Sequence, residues 1–247
     1  MFNAKSLLDS LIGQVNQATG GQTAGGQGPA GQGAAGLAHK AKEVWGGQSA
    51  LGKGAIAGGL LGVLMTSGGR KLLGAGVKMG GAALIGGLAY RAYEDWKAGK
   101  SVATEPGPLA LPEPEGTPFL PSDIHQANDL AARLLQAMVA AAKADGHVTP
   151  AERARIDGQL AMLGLEAEAS AMIAAELDAP LDAGRIAALA HSEEEAVEIY
   201  AASLLTVDPD GAAEKGYLAM LAARLKLDPG LVAHLHAKAA DLERGTE

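Results

Sequence analysis

Two short acidic stretches carry the residues of this 247-residue chain that are best suited to hold a metal ion. The first is KADGHVTPAE, from Lys143 to Glu152, and the second is TVDPDGAAE, from Thr206 to Glu214. Each places aspartate before glycine and then glutamate in the first turn of the next predicted helix. Hard cations such as calcium and magnesium need several oxygen ligands that converge on one point, and two such turns packed side by side would supply them. The candidate ligands are Asp145, Glu152, Asp208, Asp210 and Glu214.

The same residues also have a purely structural interpretation. Asp145 precedes Gly146 in a turn that is typical of helix ends, and Asp208 precedes Pro209 as a helix cap does. Glu152 would complete a capping box with Thr149. The sequence leaves both roles open, since capping needs no metal.

No arrangement of residues typical of catalysis is found elsewhere in the sequence. There are no cysteines, which excludes disulfides, thiolate ligands and cysteine nucleophiles. The serines lack a nucleophile-elbow motif, and the stretch GGLLGVL lacks the Lys-Ser/Thr pair of a phosphate-binding loop. His234 and His236 are two residues apart and would point to different sides of a helix. We therefore expect a protein that is not an enzyme, and an enzyme using a metal held by Asp145 and Asp208 is the less favoured alternative.

The elements that would position the acidic turns are helices. Apolar residues recur at helical spacing after residue 122, while β-branched residues are scarce and do not alternate. Helix starts are marked by a cap followed by proline or by a capping box, as in SEEE from Ser192 to Glu195. These patterns predict an all-α fold with a compact C-terminal domain. The predicted helices are 122–144, 150–163, 166–178, 182–190, 193–206, 211–226 and 229–243.

The stretch ADGHVTPAERARI, followed later by VDPDGAAEKGYLAML, resembles the TerB-like all-helical domain of tellurite-resistance proteins. Together with KSLLDSLIG at the start and the glycine-rich middle, the sequence is similar to the YebE-like family of bacterial inner-membrane proteins of unknown function. The resemblance implies two pseudo-repeated helical halves that bring the acidic turns together, and a role in metal binding or stress response. The acidic positions that it matches are Asp145, Glu152, Asp208 and Glu214, with Asp210 as an addition.

Two apolar, glycine-rich runs, Gly54–Gly69 and Leu72–Tyr90, lie in the first half of the chain. As helices they would be about 24 and 28 Å long, slightly less than the roughly 30 Å of a hydrocarbon core. Glycines four residues apart, such as Gly54 and Gly58, make faces on which helices approach closely. These patterns predict a helical hairpin in or on a membrane, with lipid as a partner. The alternatives are a glycine-zipper element through which the chain forms homo-oligomers and a flexible, partly disordered apolar segment of a soluble protein.

Charge divides the chain more sharply than its net value of −8 indicates. Residues 1–104 carry ten Lys and Arg against four Asp and Glu, whereas residues 122–247 carry ten against twenty-one. The acidic part would be repelled by phosphate backbones, which makes nucleic acid an unsuitable partner. The basic flanks of the apolar runs favour both ends in the cytoplasm, and Tyr90, Tyr93 and Trp96 are expected near a membrane interface.

The predicted organisation has five parts. In order, they are an amphipathic helix over 1–15, a flexible Gly/Gln-rich linker with a basic flank over 16–53, the apolar hairpin over 54–100, a Pro-rich linker over 101–121 and the TerB-like domain over 122–247. The amphipathic helix either docks on the rest of the protein or acts in membrane contact or self-association.

The leading hypothesis is a non-enzymatic protein of the bacterial inner membrane. Its cytoplasmic acidic helical domain would bind a partner or a divalent cation, calcium or magnesium, in a metal or envelope stress response. The alternative is a soluble, self-assembling scaffold that uses the glycine-rich segment for oligomerisation.

Overall fold

The computed structural model of the chain describes residues 3–6, 8–9, 81–102, 111–144, 167–207 and 211–244. Over these ranges the chain is helical and has no β-strand, apart from an isolated bridge between Thr117 and Leu120. The helices are α1 (Gly81–Lys97), α2 (Ile124–Ala142), α3 (Ala167–Asp178), α4 (Ala183–Ala187), α5 (Glu193–Thr206), α6 (Ala212–Leu225) and α7 (Pro229–Arg244). The all-α fold class is therefore confirmed for the described residues.

Local capping signals explain where several helices begin. Asp123 accepts hydrogen bonds from the backbone N–H groups of His125 and Gln126 at the start of α2, and Asp182 does the same at the start of α4. Ser192 accepts from the N–H of Glu195 at the start of α5, as the capping box predicted. The predicted helix over 150–163 lies outside the described residues.

Helix α5 forms the centre of the core. Every residue from Ala196 to Leu204 is buried, which is typical of a helix surrounded by other helices rather than one with a solvent-exposed face. It packs most extensively against α2 and also contacts α1, α6 and α7. The largest side chains in this core include Tyr200, Leu134, Leu135 and Ile199, each at most 1 % exposed.

Helix α1, which lies within the range of the predicted apolar hairpin, packs into the same core. Leu84, Ile85 and Leu88 are buried, and the helix lies against α5 and α7. The second apolar run therefore contributes its last ten residues to the helical body that contains the C-terminal helices. The domain ranges as a whole stay a prediction. None of the helices in the described ranges is both long and apolar enough to cross a bilayer.

The N-terminal residues dock on this body. Ala4 and Leu8 are fully buried in the core cluster. The backbone N–H of Lys5 donates to the side-chain oxygen of Asn128 on α2, and Asp9 accepts from the N–H of Ala82 at the start of α1 (3.1 Å). For these residues the docking interpretation is confirmed.

The segment 111–121, which we expected to be part of an extended spacer, folds onto α1 instead. A tight turn is closed by the hydrogen bond from the N–H of Gly116 to the carbonyl oxygen of Leu120 (2.9 Å). It buries Phe119, whose ring lies 5.5 Å from the rings of both Tyr90 and Tyr93. Burial of a large aromatic side chain removes apolar surface from water, which favours docking of this proline-rich segment on α1.

Gly86 of α1 is the point at which this segment comes closest to the helix. A Cβ atom added there would lie 2.6 Å from the backbone carbonyl oxygen of Phe119, which no rotamer change can relieve. We expect Gly86→Ala to lower the free energy of unfolding by about 1–2 kcal/mol, because an overpacking cost of about 1–3 kcal/mol is partly offset by the better helix propensity of alanine.

Gly216→Ala is the matched control for this substitution. Gly216 is also a helical glycine, but nothing lies within 4 Å of its added Cβ. This variant should be about 1 kcal/mol more stable than the parent protein. Equilibrium urea unfolding measures both changes, and equal shifts of the two variants would show that the close approach at Gly86 does not exist.

Candidate functional site

Of the five predicted metal ligands, Glu214 is the one that the structure describes. Asp145, Glu152, Asp208 and Asp210 lie outside the described residues, so their convergence stays a prediction. Glu214 lies in the first turn of α6, and its carboxylate folds back over Gly211, where it fills the space that a Cβ atom at position 211 would take. The carboxylate thus lies beside Gly211, the residue that directly follows Asp210 within the second acidic stretch.

The donor chemistry of the five residues fits a hard cation, since all five ligands are carboxylates. Among the described residues, no group of three or more His, Asp or Glu side chains is placed to hold a metal ion. Glu214 in its position over Gly211 would present oxygen ligands at the helix start. It also complements the positive end of the helix macrodipole there. Its role as a metal ligand stays a prediction.

The first residue of the first acidic stretch, Lys143, is a buried lysine. The Lys143 ammonium, at the end of α2, donates hydrogen bonds to the carbonyl oxygens of Glu176 (2.8 Å) and Ala179 at the end of α3. A cation is favourable there, because the last carbonyl groups of a helix lack partners and carry partial negative charge. Burial lowers the pKa of Lys143, against the opposing effect of the nearby Glu176. This contact holds the end of α2 against the end of α3.

Glu176 itself is buried and forms a two-pronged ion pair with Arg185 of α4. One hydrogen bond joins Arg185 Nη1 to Glu176 Oε2 (3.0 Å), and the second joins Nη2 to Oε1. Bidentate pairing of this kind is geometrically specific. It connects α3 to α4. The end of α3 is therefore held by polar contacts from Lys143 at the end of α2 and from Arg185 of α4.

A second buried charge cluster connects α1 to α7. The carboxylate of Asp95 binds Lys100 Nζ (2.7 Å), Arg91 Nε (3.1 Å) and Lys238 Nζ (3.2 Å). The side chains of Asp95 and Lys238 are only 5 % and 4 % exposed. Burial alone would raise the pKa of Asp95, but the hydrogen bonds from Lys100 and Lys238 outweigh it and lower the pKa. This carboxylate is therefore ionised at neutral pH.

Glu198 of α5 is buried with no exposed surface. Within the described part of the chain, neither of its carboxyl oxygens has a hydrogen-bond partner. Its Oε1 lies near Gly86 of α1. Burial raises the pKa of Glu198 well above its usual value, and the negative charge of Glu195 adds to this effect. A buried polar group without a partner is costly and rare in native proteins. Glu198 is therefore expected to lower the free energy of unfolding.

The two C-terminal histidines point to different partners, as their spacing predicted. The ring of His234 lies with Nδ1 2.8 Å from the carbonyl oxygen of Gly230 and Nε2 3.1 Å from that of Lys100. His236 Nε2 lies 2.8 Å from the hydroxyl of Tyr200, and burial lowers the pKa of His236. Both histidines therefore hold α7 against its neighbours.

A cleft of about 380 Å³ lies where the start of α5 meets the connection between α6 and α7. Small-molecule sites in proteins have volumes of about 300–1,000 Å³. Its walls combine apolar groups, including Ala196, Leu227 and Leu231, with charged side chains. The polar side chains that line it are His191, Ser192, Glu193, Arg224, Lys226 and Asp228.

Side chains at the start of α5 bond to its backbone and to α2. Glu195 accepts a hydrogen bond from the N–H of His191 (2.8 Å) and forms an ion pair with Arg133 of α2 (2.7 Å). Ser192 accepts from the N–H of Glu195. The opposite wall of the cleft is formed by the α6–α7 connection.

That connection has an unusual backbone at Lys226. Lys226 ends α6 in the left-handed conformation, with φ 57° and ψ 34°. The N–H of Leu227 donates to the carbonyl oxygen of Ala222 (3.1 Å), which completes a Schellman motif. Glycine is the usual residue at such a position, and another residue there costs about 1–3 kcal/mol. Asp228 then accepts from Trp96 Nε1 of α1 (3.2 Å) and from the N–H of Gly230 (2.7 Å).

The sequence did not reveal the buried charges or the cleft. Asp95 has basic residues at spacings of four and five, which is a signal for a charge cluster, but its burial depends on the packing of α1. Glu198 stands between Val197 and Ile199 in a strongly apolar helix, and this isolation could have marked it. The aromatic residues expected near a membrane interface make contacts within the protein: Tyr90 and Tyr93 contact Phe119, and Trp96 contacts Tyr93 and Asp228.

The described helices define an all-α body built around one buried helix, with a small polar cleft at its side. The chain belongs to the family described as protein of unknown function (DUF533), whose match extends over residues 50–239. That range includes α1 together with the later helices as far as α7. The chain is also similar to a Yersinia enterocolitica protein described as an uncharacterised protein in the ampR 5' region, with 36% identity over 95 residues, which are 38% of this chain and 68% of that protein. No solved structure matches the chain.

Proposed function

We propose that this protein is a non-enzymatic, membrane-associated protein of the bacterial inner membrane, in which residues 54–80 anchor an acidic helical body on the cytoplasmic side. The observation that carries the proposal is the packing of α1. This helix continues the apolar sequence that begins at Leu72, and its buried face lies against α5 and α7. An anchor that directly precedes α1 in the sequence would hold the body close to the bilayer.

The distribution of charge supports this orientation. The apolar runs are flanked by Lys and Arg, which favours cytoplasmic ends. The body is acidic, so anionic lipid would repel it and leave its surface free for a partner in the cytoplasm. The resemblance to YebE-like proteins supports the same location.

Flotation of bacterial membranes tests the anchor. The full chain is compared with a variant that lacks residues 54–80, which keeps the whole of α1 and hence the core. We expect the full chain to float with the membrane after alkaline carbonate extraction and the shortened chain to stay in the soluble fraction. Release of the full chain by carbonate would overturn the proposal in favour of a self-assembling scaffold, which size-exclusion chromatography of both chains would then detect.

We propose further that the body binds a divalent cation, calcium or magnesium, through Asp145, Glu152, Asp208, Asp210 and Glu214. The carboxylate chemistry of these residues and the TerB-like resemblance support the proposal. Binding to the folded state alone raises the melting temperature with the concentration of the ion.

Thermal unfolding in calcium, in magnesium and in chelator tests the cation site. We expect either ion to raise the melting temperature of the parent chain, and the double variant Asp145→Ala, Asp208→Ala to lose this response. Glu193→Gln removes a carboxylate outside the set and should keep it. A melting temperature that is independent of both ions would show that the acidic turns serve only as helix caps.

A further inference from the structure

A buried carboxyl group lies close to the segment 111–121, which we call the strap. A Cβ atom added at Gly86 of α1 would lie 2.6 Å from the carbonyl oxygen of Phe119 in the strap and 3.3 Å from Glu198 Oε1 of α5. The strap, α1 and α5 therefore meet at this point. We propose that the strap is a proton-controlled closure, which lies on α1 while Glu198 is protonated and opens when Glu198 ionises.

The surroundings of Glu198 suit the neutral form of its side chain. The side chain has no exposed surface, and neither carboxyl oxygen has a hydrogen-bond partner among the described residues. A carboxylate in such a place is costly, because it has lost its contact with water and gained no donor. The carbonyl oxygen of Phe119 approaches the same point on α1 and would repel a negative charge. Departure of the strap would admit water to this point.

The charges on α5 and α2 favour the neutral form as well. Burial has the largest effect on the pKa of Glu198 and raises it, and the negative charges of Glu195 and Glu194 on α5 raise it further. Arg133 of α2 lowers this pKa, but its guanidinium is already bound to Glu195 (2.7 Å). The nearest cation is therefore occupied by another carboxylate.

The strap and the adjoining part of α1 supply no cation that could balance an ionised Glu198. Residues 81–89 of α1 have no ionisable side chain. The strap contains no Lys or Arg, and its acidic residues Glu113 and Glu115 are both exposed. A negative charge on Glu198 would thus be repelled by the strap and not attracted to it.

The strap can leave α1 as a unit. Its hydrogen bonds within the described part of the chain each join two of its own residues. Examples are the bonds from the N–H of Gly116 to the carbonyl oxygen of Leu120 (2.9 Å) and from the N–H of Leu120 to that of Thr117 (3.1 Å). Burial of Phe119 and Leu120 holds it in place. The cost of opening is therefore mainly the exposure of apolar surface.

The sign of the pH dependence follows from the state that holds the proton. In the closed state Glu198 keeps a proton that it would release once exposed to water, where glutamate titrates near pH 4.3. The open fraction therefore rises about tenfold for each pH unit, as long as the closed state keeps the proton. We expect the strap to be closed at pH 6 and to open as the pH rises toward 9.

Single-cysteine variants of the purified full chain test this closure, because the chain contains no cysteine. Leu120→Cys places a thiol at a buried position of the strap, and Ser122→Cys places one at an exposed position beside it. The rate of alkylation by iodoacetamide at the first position is divided by the rate at the second, which cancels the intrinsic pH dependence of a thiol. We expect this ratio to rise at least tenfold between pH 6 and pH 9.

Glu198→Met removes the titrating group and should make the ratio independent of pH. Leu177→Cys on α3, which packs against α2, reports unfolding of the whole body and should not follow the change at Leu120. A ratio for Leu120→Cys that does not change with pH would overturn the inference. An equal rise in the Glu198→Met background, or a parallel rise at Leu177→Cys, would also overturn it.

Pro114→Cys provides a second buried position in the strap. It is used if Leu120→Cys itself holds the strap open, which would give a ratio near one already at pH 6. The rise with pH and its absence in Glu198→Met are expected at this position too. A ratio near one at pH 6 for both positions would show that the strap is not closed on α1, and would overturn the inference.

Discussion

Asp95→Asn should lower the free energy of unfolding by about 3–5 kcal/mol at pH 7, the range found when one partner of a buried ion pair is removed. The substitution keeps the size of the side chain but removes the charge that Arg91, Lys100 and Lys238 share. The ammonium of Lys238 is almost completely buried and would then face a neutral amide. Because the cluster joins α1 to α7, its loss weakens the contact between the apolar helix and the rest of the body.

Glu94→Gln is the control for this substitution. Glu94 precedes Asp95 on the same helix but is exposed, so its substitution should change stability by less than about 0.5 kcal/mol. Urea unfolding followed by circular dichroism measures both variants. If Asp95→Asn were no more destabilising than Glu94→Gln, the buried cluster would not contribute to the fold.

Acid should act through the same carboxylate. The pKa of Asp95 is lowered in the folded state, so its stabilising effect is complete above its unfolded pKa of about 3.9 and is lost as the pH falls through the folded value. Asp95→Asn should remove this part of the acid sensitivity.

Glu198 should have the opposite effect, because it destabilises the folded state at neutral and alkaline pH. Replacement by methionine, which has a similar shape and no charge, should raise the free energy of unfolding by about 1–3 kcal/mol at pH 8, the cost of a buried group without a hydrogen-bond partner. Both oxygens lack partners among the described residues, so the substitution breaks no observed hydrogen bond.

The pH dependence of the free energy of unfolding separates the effect of ionising Glu198 from the effect of burying a polar group. The folded pKa of Glu198 is raised well above its ordinary value, whereas the unfolded pKa is about 4.3. The folded state therefore holds a proton that the unfolded state has released, and stability falls as the pH rises from the unfolded pKa to the folded one. Above the folded pKa the loss is complete, at about 1.4 kcal/mol for each unit between the two values.

Glu198→Gln keeps a buried polar group but has no charge to titrate. It should therefore remove the slope of stability between pH 5 and the folded pKa, as Glu198→Met does, while giving a smaller gain. Unfolding free energies at several pH values between 5 and 9 provide the comparison with the parent chain. A parent chain whose slope persists in both variants would place the titrating group elsewhere.

The sequence predicted the helices well because their signals are local. Ser192 caps the N–H of Glu195 as expected, while the Glu195 side chain accepts from the N–H of His191 rather than from that of Ser192. The predicted helix over 193–206 has the same bounds as α5. Apolar periodicity and capping depend on residues within one or two turns, so they can be recognised without knowledge of the tertiary contacts.

The placement of α1 and of the segment 111–121 could not be predicted in the same way. An apolar, glycine-containing helix satisfies both a lipid environment and a protein core, and composition does not separate the two. Gly86 looks like any other glycine of the hydrophobic run, although its role is to admit the carbonyl group of Phe119. That contact joins residues distant in sequence, as does the pair of Asp95 and Lys238, and neither has a local signature.

The prediction of the cation ligands was based on local turn chemistry and on resemblance. The position of Glu214 beside Gly211 suits a metal ligand and also a carboxylate that complements the helix macrodipole. The cleft was not predicted, because Arg224 and Lys226 meet the start of α5 only after the chain has folded. The left-handed backbone at Lys226 likewise has no clear signal in the sequence, since glycine would be expected there.

The contacts between the regions of α1 and α7 also bear on the order in which the chain folds during its synthesis. Trp96 binds Asp228, and Lys100 binds His234, at sequence separations of 132 and 134 residues. Because synthesis proceeds at about 5–20 residues per second, α1 leaves the ribosome several seconds or more before its partner helix exists. During that interval its apolar face has no completed core to cover it. Nascent chains of this protein therefore pass through a period in which a chaperone or an insertion machinery can capture α1 before the body closes around it.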